Sequence, residues 1–378
     1  MNKSIRNASI FGAVIGLAIV TLKKYVKKAI WYGGPEIDDY KIFYNRIIEA
    51  GQHKPWQKSN RYNNFTIPKE RRDVIESYNP IAALVIQNEK IIYEEYWEGY
   101  TEDSVSNSFS AAKSIVSLLI GIALDEKKIA DLDQKVGDFV EAYKYGSKSK
   151  LTIRQVLTMS SGLNWKETYS TPFSTTAKAY YGNDLKSLIE GLDVVEKPGI
   201  YFEYLSGNTQ LLAMIVQSAT GMSISKYTSE KIWKKIGAQN DALWNLDSKD
   251  GMEKAYCCFN TNVRDFARFG QLILNKGNWD GKRIISADYI SSATSSKKYL
   301  KDKITGDTVD FYGFQWWIIN YKGMKIPYMR GILGQYVFVI PDKNAVVVRL
   351  GHTRSKEIIN HHPKDVYDYL EDALLILD

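Results

Sequence analysis

Ser110 and Lys113 stand three residues apart in Asn107-Ser108-Phe109-Ser110-Ala111-Ala112-Lys113-Ser114, at the mouth of the apolar run Ile115 to Leu124. Residues three apart on a helix share a face, so the hydroxyl and the amine can come within hydrogen-bond reach. A serine hydroxyl is a poor nucleophile at neutral pH and needs an adjacent base. A lysine can serve as that base once partial burial and the positive end of the helix dipole lower its pKa. The same dipole would steady a developing alkoxide, so the chemistry on offer is attack by an activated serine.

The spacing recurs at Ser147/Lys150, Ser223/Lys226 and Ser295/Lys298. Those pairs lie among lysines or in polar stretches, whereas the Ser110 pair is followed by an almost uncharged helix that must be buried. The four histidines, His53, His352, His361 and His362, fall toward the chain ends, and neither a G-x-S-x-G nor an H-E-x-x-H pattern occurs. A histidine-based triad and a zinc hydrolase are therefore disfavoured. Cys257 and Cys258 are the only cysteines, too few for a disulfide framework, and they read as small core or strand residues.

At 378 residues the chain can bury a large core, and one large body with a short extension fits better than three domains. The net charge is +7, but Lys3, Arg6, Lys23, Lys24, Lys27 and Lys28 supply six of the seven before residue 35. The remainder is near neutral, which argues against nucleic-acid binding. Ala8 to Leu22 is an uncharged, mostly apolar run of about fifteen residues between basic flanks. It is short for a spanning helix, which needs roughly twenty residues, and no small-x-small cleavage site follows it. Residues 1–34 are read as an uncleaved single-pass membrane anchor, whose charge bias favours a cytoplasmic body, with a periplasmic or extracellular body as the alternative. A buried or amphipathic N-terminal helix is the competing reading.

Residues 35–78 look like a spacer or a flap, with a helix expected at Asp38 to Ala50. From Ile81 two β-rich runs split by Gln87-Asn88-Glu89 read as a hairpin that delivers the chain to the Ser110 helix. Thr152 can cap a short helix ended by Gly162. Asn164 to Asn183 has no clear period and reads as a long loop whose Tyr169, Tyr180 and Tyr181 could shape a substrate pocket. Tyr204 precedes an apolar helix running to about Gly221, and Asn262 to Asn275 is a capped amphipathic helix. Strands are expected at Phe311 to Asn320, Lys325 to Arg330, Gln335 to Ile340 and Ala345 to Leu350, then a last helix from about Pro363 to Leu377. Strands at both ends around a helical middle imply an α+β fold: one antiparallel sheet built from both chain ends, with helices packed on it.

Several segments fall into one order: Ser-x-x-Lys after a hairpin, Leu-Thr-Ile-Arg-x-Val-Leu-Thr-Met-x-Ser-Gly, Pro-Gly-x-x-x-x-Tyr-x-Ser-x-Asn, Phe-Tyr-Gly-Phe-Gln-Trp-Trp, and Gly-x-x-Gly-Gln before a strand ending in Pro. Over about residues 79–378 the chain resembles the serine β-lactamase-related family in its class C β-lactamase and esterase branch. Phe-Glu-Tyr-Leu-Ser-Gly-Asn-Thr looks most like 6-aminohexanoate-dimer hydrolases. The resemblance implies a β-lactamase/transpeptidase-like α/β sandwich with an inserted, mainly helical region.

It further implies that Ser110 is acylated, that Lys113 is its base, and that Tyr204 passes a proton to the leaving group, its pKa lowered by a nearby ammonium. Ser206 and Asn208 would hold that loop and the lysine in place. Gly331 would let substrate lie close to the strand, and the Ile332 and Ser110 backbone N–H groups would form an oxyanion hole. Arg330 departs from the family's Lys-Thr-Gly element, and Met159 stands where relatives often carry histidine; both departures speak against a dedicated β-lactamase. The expected activity is hydrolysis of a small amide or ester through an acyl-enzyme, with no metal or organic cofactor. The alternatives are a penicillin-recognising DD-peptidase or β-lactamase, and a catalytically silent scaffold of the same fold.

Overall fold

The computed structural model describes residues 22–378, so all but the last residue of the run read as an anchor lies outside it. Among the described residues no helix is long and apolar enough to cross a membrane. In chain order the elements that matter for the site are α1 (Lys24–Tyr32), β1 (Pro80–Gln87), β2 (Lys90–Tyr96), α2 (Ala112–Asp125), α3 (Thr175–Tyr181) and α4 (Ser206–Thr220). They continue with α5 (Val263–Leu274), β3 (Trp317–Tyr321), β4 (Met324–Gly331), β5 (Gln335–Ile340), β6 (Ala345–Gly351) and α6 (Lys364–Leu377).

The main sheet has the order β3-β4-β5-β6-β1-β2, antiparallel throughout, with the short strand Gln57–Lys58 added parallel to β2 at one edge. As expected, the sheet joins the two chain ends: Leu84 and Ile86 pair with Val348 and Val346. Its strands are apolar on both sides because both faces are covered. Val337, Val339, Val346 and Val348 face the helical body that holds α2, α4 and α5. Tyr336, Phe338 and Val347 point the other way, against Val366, Leu370 and Leu374 of α6. The period of two along each strand thus distributes alternate residues to two cores.

α2 is buried from Ala112 to Ala123. A helix that is apolar all round can only sit inside the molecule. A second, smaller sheet of Asn45–Ile48, Ala242–Asn245, Phe259–Thr261 and Ser106–Asn107 lies beside the start of α2. Its pairing of Ser106 with Thr261 and Asn107 with Asn260 brings the 254–258 segment against the Ser110 turn.

Three local expectations change. In place of a helix over Asp38 to Ala50 there is one 3-10 turn, Asp39–Lys41, followed by the strand Asn45–Ile48. Asp39 accepts from the Glu36 N–H and Asn45 donates to the Tyr40 and Phe43 carbonyls, so side chains capture the groups a helix would need. Residues 35–78 thus give Asn45–Ile48 to the smaller sheet and Gln57–Lys58 to the edge of the main one. The expected loop Asn164 to Asn183 contains α3, capped by Ser174 on the Ala177 N–H. The Thr152 cap exists as a capping box with Gln155, but the helix stops at Leu157, well before Gly162.

Candidate active site

Ser110 sits in the 3-10 turn Phe109–Ala111 that runs directly into α2. Phe109 has φ of 43°, an uncommon conformation for a side chain with a Cβ. The turn is over-determined: Asn107 Oδ1 accepts from the Phe109 N–H at 2.8 Å, and the Ser108 N–H donates to the Phe259 carbonyl at 2.7 Å. Strain held in this way is typical of functional turns. It presents Ser110 at the surface of a buried helix.

Lys113 is 1% exposed. Its Nζ donates to Ser110 Oγ at 3.1 Å and to the Tyr256 carbonyl at 2.7 Å. Burial pushes the ammonium down to about 8, opposed by the negative charge of Glu167. A lysine in this range holds a useful fraction of free base near neutral pH.

Tyr204 is half-buried and lies close enough to Ser110 for that hydroxyl to favour the phenolate. The Lys113 ammonium lies 5.2 Å from its ring centroid. The phenol is nonetheless pushed well up, first by burial and also by Glu167; the Ser110 hydroxyl and the charges of Arg330 and Arg354 only partly offset this. The expectation of a lowered phenol pKa is therefore wrong, because packing against Tyr312 and Trp317 removes the water a phenolate needs. The hydroxyl stays protonated across the neutral range.

Ser206 and Asn208 do not hold the lysine through any direct bond. Ser206 donates to Glu167 from its N–H at 2.7 Å and its hydroxyl at 2.8 Å, and Asn208 donates to Met159 Sδ at 3.3 Å. The Met159 carbonyl in turn accepts from the Glu203 N–H, next to Tyr204. The lysine is held instead by Tyr256, which the sequence reading missed because a backbone carbonyl has no residue-type signature. Glu167 was missed as well, although it is the single acid between Glu141 and Asp184. Trp165 Nε1 and the Tyr169 hydroxyl also donate to it.

Gly331 ends β4 beside the Ser110 turn, and Ile332 opens the 3-10 turn Ile332–Gly334. A Cβ on Gly331 would lie 2.3 Å from the Ser108 carbonyl oxygen, so the glycine is required by the Ser110 turn itself. Arg330 stacks on Trp317, 3.1 Å from the ring centroid, and donates to the His361 carbonyl. Buried Arg349 donates to the Leu333 and Gly334 carbonyls and fixes the turn that follows Ile332.

Tyr169, Tyr180 and Tyr181 line one cavity together with Tyr256. Tyr180 donates to Asp39 and Tyr181 to the Gly33 carbonyl, so these two hydroxyls are spent on packing, while Tyr169 is exposed. Of the other Ser-x-x-Lys pairs, Ser223 caps a helix by accepting from the Lys226 N–H, and Ser295 donates to the Ser291 carbonyl. His362 pairs with Tyr328, His361 stacks on Phe311 and His352 faces Glu98, so none of these three belongs to the Ser110 cluster. Cys257 and Cys258 are buried, as expected, and bonded to each other.

This sheet, with a serine at the head of a buried helix and a lysine one turn on, has the β-lactamase/transpeptidase-like architecture. The chain belongs to the Beta-lactamase family, whose profile matches residues 77–359. It is 28% identical over 285 residues to the 6-aminohexanoate-dimer hydrolase of Paenarthrobacter ureafaciens, covering 71% of each chain. A solved Bacillus anthracis chain that carries the same hydrolase name provisionally superposes with a TM-score of 0.77 at 22% identity, covering 90% of this chain and 92% of that one. A family VIII carboxylesterase superposes with a TM-score of 0.63 at 16% identity, covering 85% and 98%. These two likenesses are of fold.

Proposed function

We propose that the protein hydrolyses a small amide or ester through an acyl-enzyme on Ser110. Ser110 Oγ attacks the carbonyl carbon while its proton passes to Lys113. The backbone N–H groups of Ser110 and Ile332 hold the oxyanion. As the tetrahedral intermediate breaks, the departing amine or alcohol takes a proton from Tyr204, which is resupplied from Lys113. Water then attacks the acyl group, releasing the acid and restoring the serine. The observation that carries this reading is the 3.1 Å contact between Ser110 and a fully buried lysine whose pKa is drawn down to about 8. Similarity to a 6-aminohexanoate-dimer hydrolase favours an amide substrate.

A fluorophosphonate should label the folded wild type at Ser110, and Ser110→Ala should neither label nor turn over a panel of short amides and esters. Equal labelling of the two proteins, or none of the wild type, would sink the mechanism. Incubation with a penicillin followed by mass spectrometry separates the DD-peptidase or β-lactamase alternative, for which a stable adduct or turnover is required.

A further inference from the structure

A cavity of about 350 Å³ adjoins the site, walled by Ala29, Ile30 and Gly34 of α1 and its exit on one side and by Tyr169, Ala177 and Tyr256 on the other. That volume is near the lower end of small-molecule sites, roughly 300–1,000 Å³. Among the described residues no charged side chain lines it. Tyr256 is buried, and its hydroxyl finds no partner among the described residues. Ser110 itself does not line the cavity, but two of its walls belong to the site: the Tyr256 carbonyl holds Lys113 and the Tyr169 hydroxyl is bonded to Glu167. Tyr256 and Tyr169 thus form a wall shared by the cavity and the Ser110–Lys113–Glu167 cluster.

The rim of this cavity is unusual. α1 turns Val26 and Ala29 inward toward α3, and Tyr32 stacks on Tyr181. Its end carries Ile30, Trp31 and Tyr32 into solvent, Trp31 being 83% exposed, and the facing loop exposes Tyr169 and Phe173. Lys23, Lys24 and Lys28, also exposed, stand on the same segment. A surface helix that shows tryptophan, tyrosine and isoleucine beside lysines suits the boundary of an anionic bilayer, where the rings sit at the headgroups and the amines meet phosphates. The uncharged run Ala8 to Leu22 ends two residues before α1. Two residues span at most about 7 Å, so whatever holds that run holds α1 next to it.

We infer that this cavity receives the apolar chain of an amphiphilic ester or amide, and that its rim rests on an anionic lipid surface. The substrate class rests on the hydrolase reading above; the lipid contact does not. For the contact, the full chain carrying Trp31→Cys is labelled with a polarity-sensitive nitrobenzoxadiazole dye and mixed with phosphatidylcholine vesicles containing phosphatidylglycerol. Ile304→Cys, at a position 92% exposed, is the control. The label at position 31 should shift to the blue and be quenched by nitroxide lipids, increasingly with phosphatidylglycerol, while that at position 304 should not. A label at 31 that stays in water on sedimenting vesicles, or that is already shielded without lipid by the chain's own first residues, overturns the contact.

For the chain site, Ala177→Phe and Gly34→Leu fill the cavity; a Cβ at Gly34 meets nothing within 4 Å. Each buried methylene is worth roughly fourfold in binding, so both variants should lower kcat/KM for p-nitrophenyl octanoate at least tenfold while p-nitrophenyl acetate is unchanged. Parallel loss on both esters, or no loss on either, overturns the site. Ser110→Ala keeps the two readings apart: if it leaves both esters hydrolysed the hydrolase reading fails, and the dye at position 31 still reports on lipid.

Discussion

The behaviour of the site turns on one amine. In the proposed mechanism Lys113 must lose its proton before it can take one from Ser110, and burial sets that event near pH 8. The acylation rate should therefore rise with pH through an apparent pKa of about 8 and reach a plateau, since the Tyr204 phenol titrates far above that range. A profile flat between pH 6 and 9 would remove Lys113 from the role of base. The charge of Glu167 holds the Lys113 pKa up, so Glu167→Gln should move the rising limb to lower pH; a limb that stays in place would show the two groups to be uncoupled. Tyr204→Phe separates proton donation from nucleophilic attack. An amide nitrogen must be protonated to leave, whereas p-nitrophenolate leaves unaided, so amide turnover should fall by ~10²–10⁴ and p-nitrophenyl acetate hydrolysis by much less. Equal losses on the two substrates would assign Tyr204 a structural role. That Ser110, Lys113 and Tyr204 would lie together was legible because their residue types and motifs single them out. The carbonyl of Tyr256 was not, since any residue could supply it, and Glu167 lay in a stretch whose lack of period made it read as loop.

At the level of elements, the nucleophile turn and the end of β4 are built against each other. Phe109 is held at positive φ, and the Ser108 carbonyl beside it lies where a Cβ on Gly331 would be. Gly331→Ala must push the turn or the strand aside. It should cost about 1–3 kcal/mol in urea unfolding, and labelling of Ser110 in the protein that remains folded should fall more than tenfold, a rough bound from the loss expected when reacting groups are misplaced by 1 Å. Undiminished labelling would mean that the turn does not depend on the strand edge. Sequence reading placed the strands well here: the runs Gln335 to Ile340 and Ala345 to Leu350 match β5 and β6 because β-branched and aromatic residues filled them and Pro341-Asp342-Lys343-Asn344 punctuated them. It placed β3 too early, since Phe311 to Trp316 is apolar enough for a strand but turns through Gln315 at φ of 62°.

Across the whole molecule, the sheet separates two cores with different duties. One face carries α2, α4 and α5 and with them the serine and the lysine; the other is sealed by α6, the last element of the chain. The sheet's outline could be read from strands at both chain ends, but the division of labour between its faces could not, because strands covered on both sides lose the alternation that would tell inside from outside. The division makes stability and activity separable. Leu370 is fully buried in the α6 core, on the face of the sheet opposite the helix that carries Ser110 and Lys113. Leu370→Ala removes its methyl groups from that core and should cost about 2–5 kcal/mol, seen as a lower urea midpoint with an unchanged slope. At a temperature where the variant remains folded, kcat/KM should stay within roughly twofold of wild type, since effects at distant, independent sites are additive. A large loss of turnover in folded Leu370→Ala would show instead that packing behind the sheet is transmitted through Tyr336 and Phe338 to the edge where Gly331 meets the nucleophile turn.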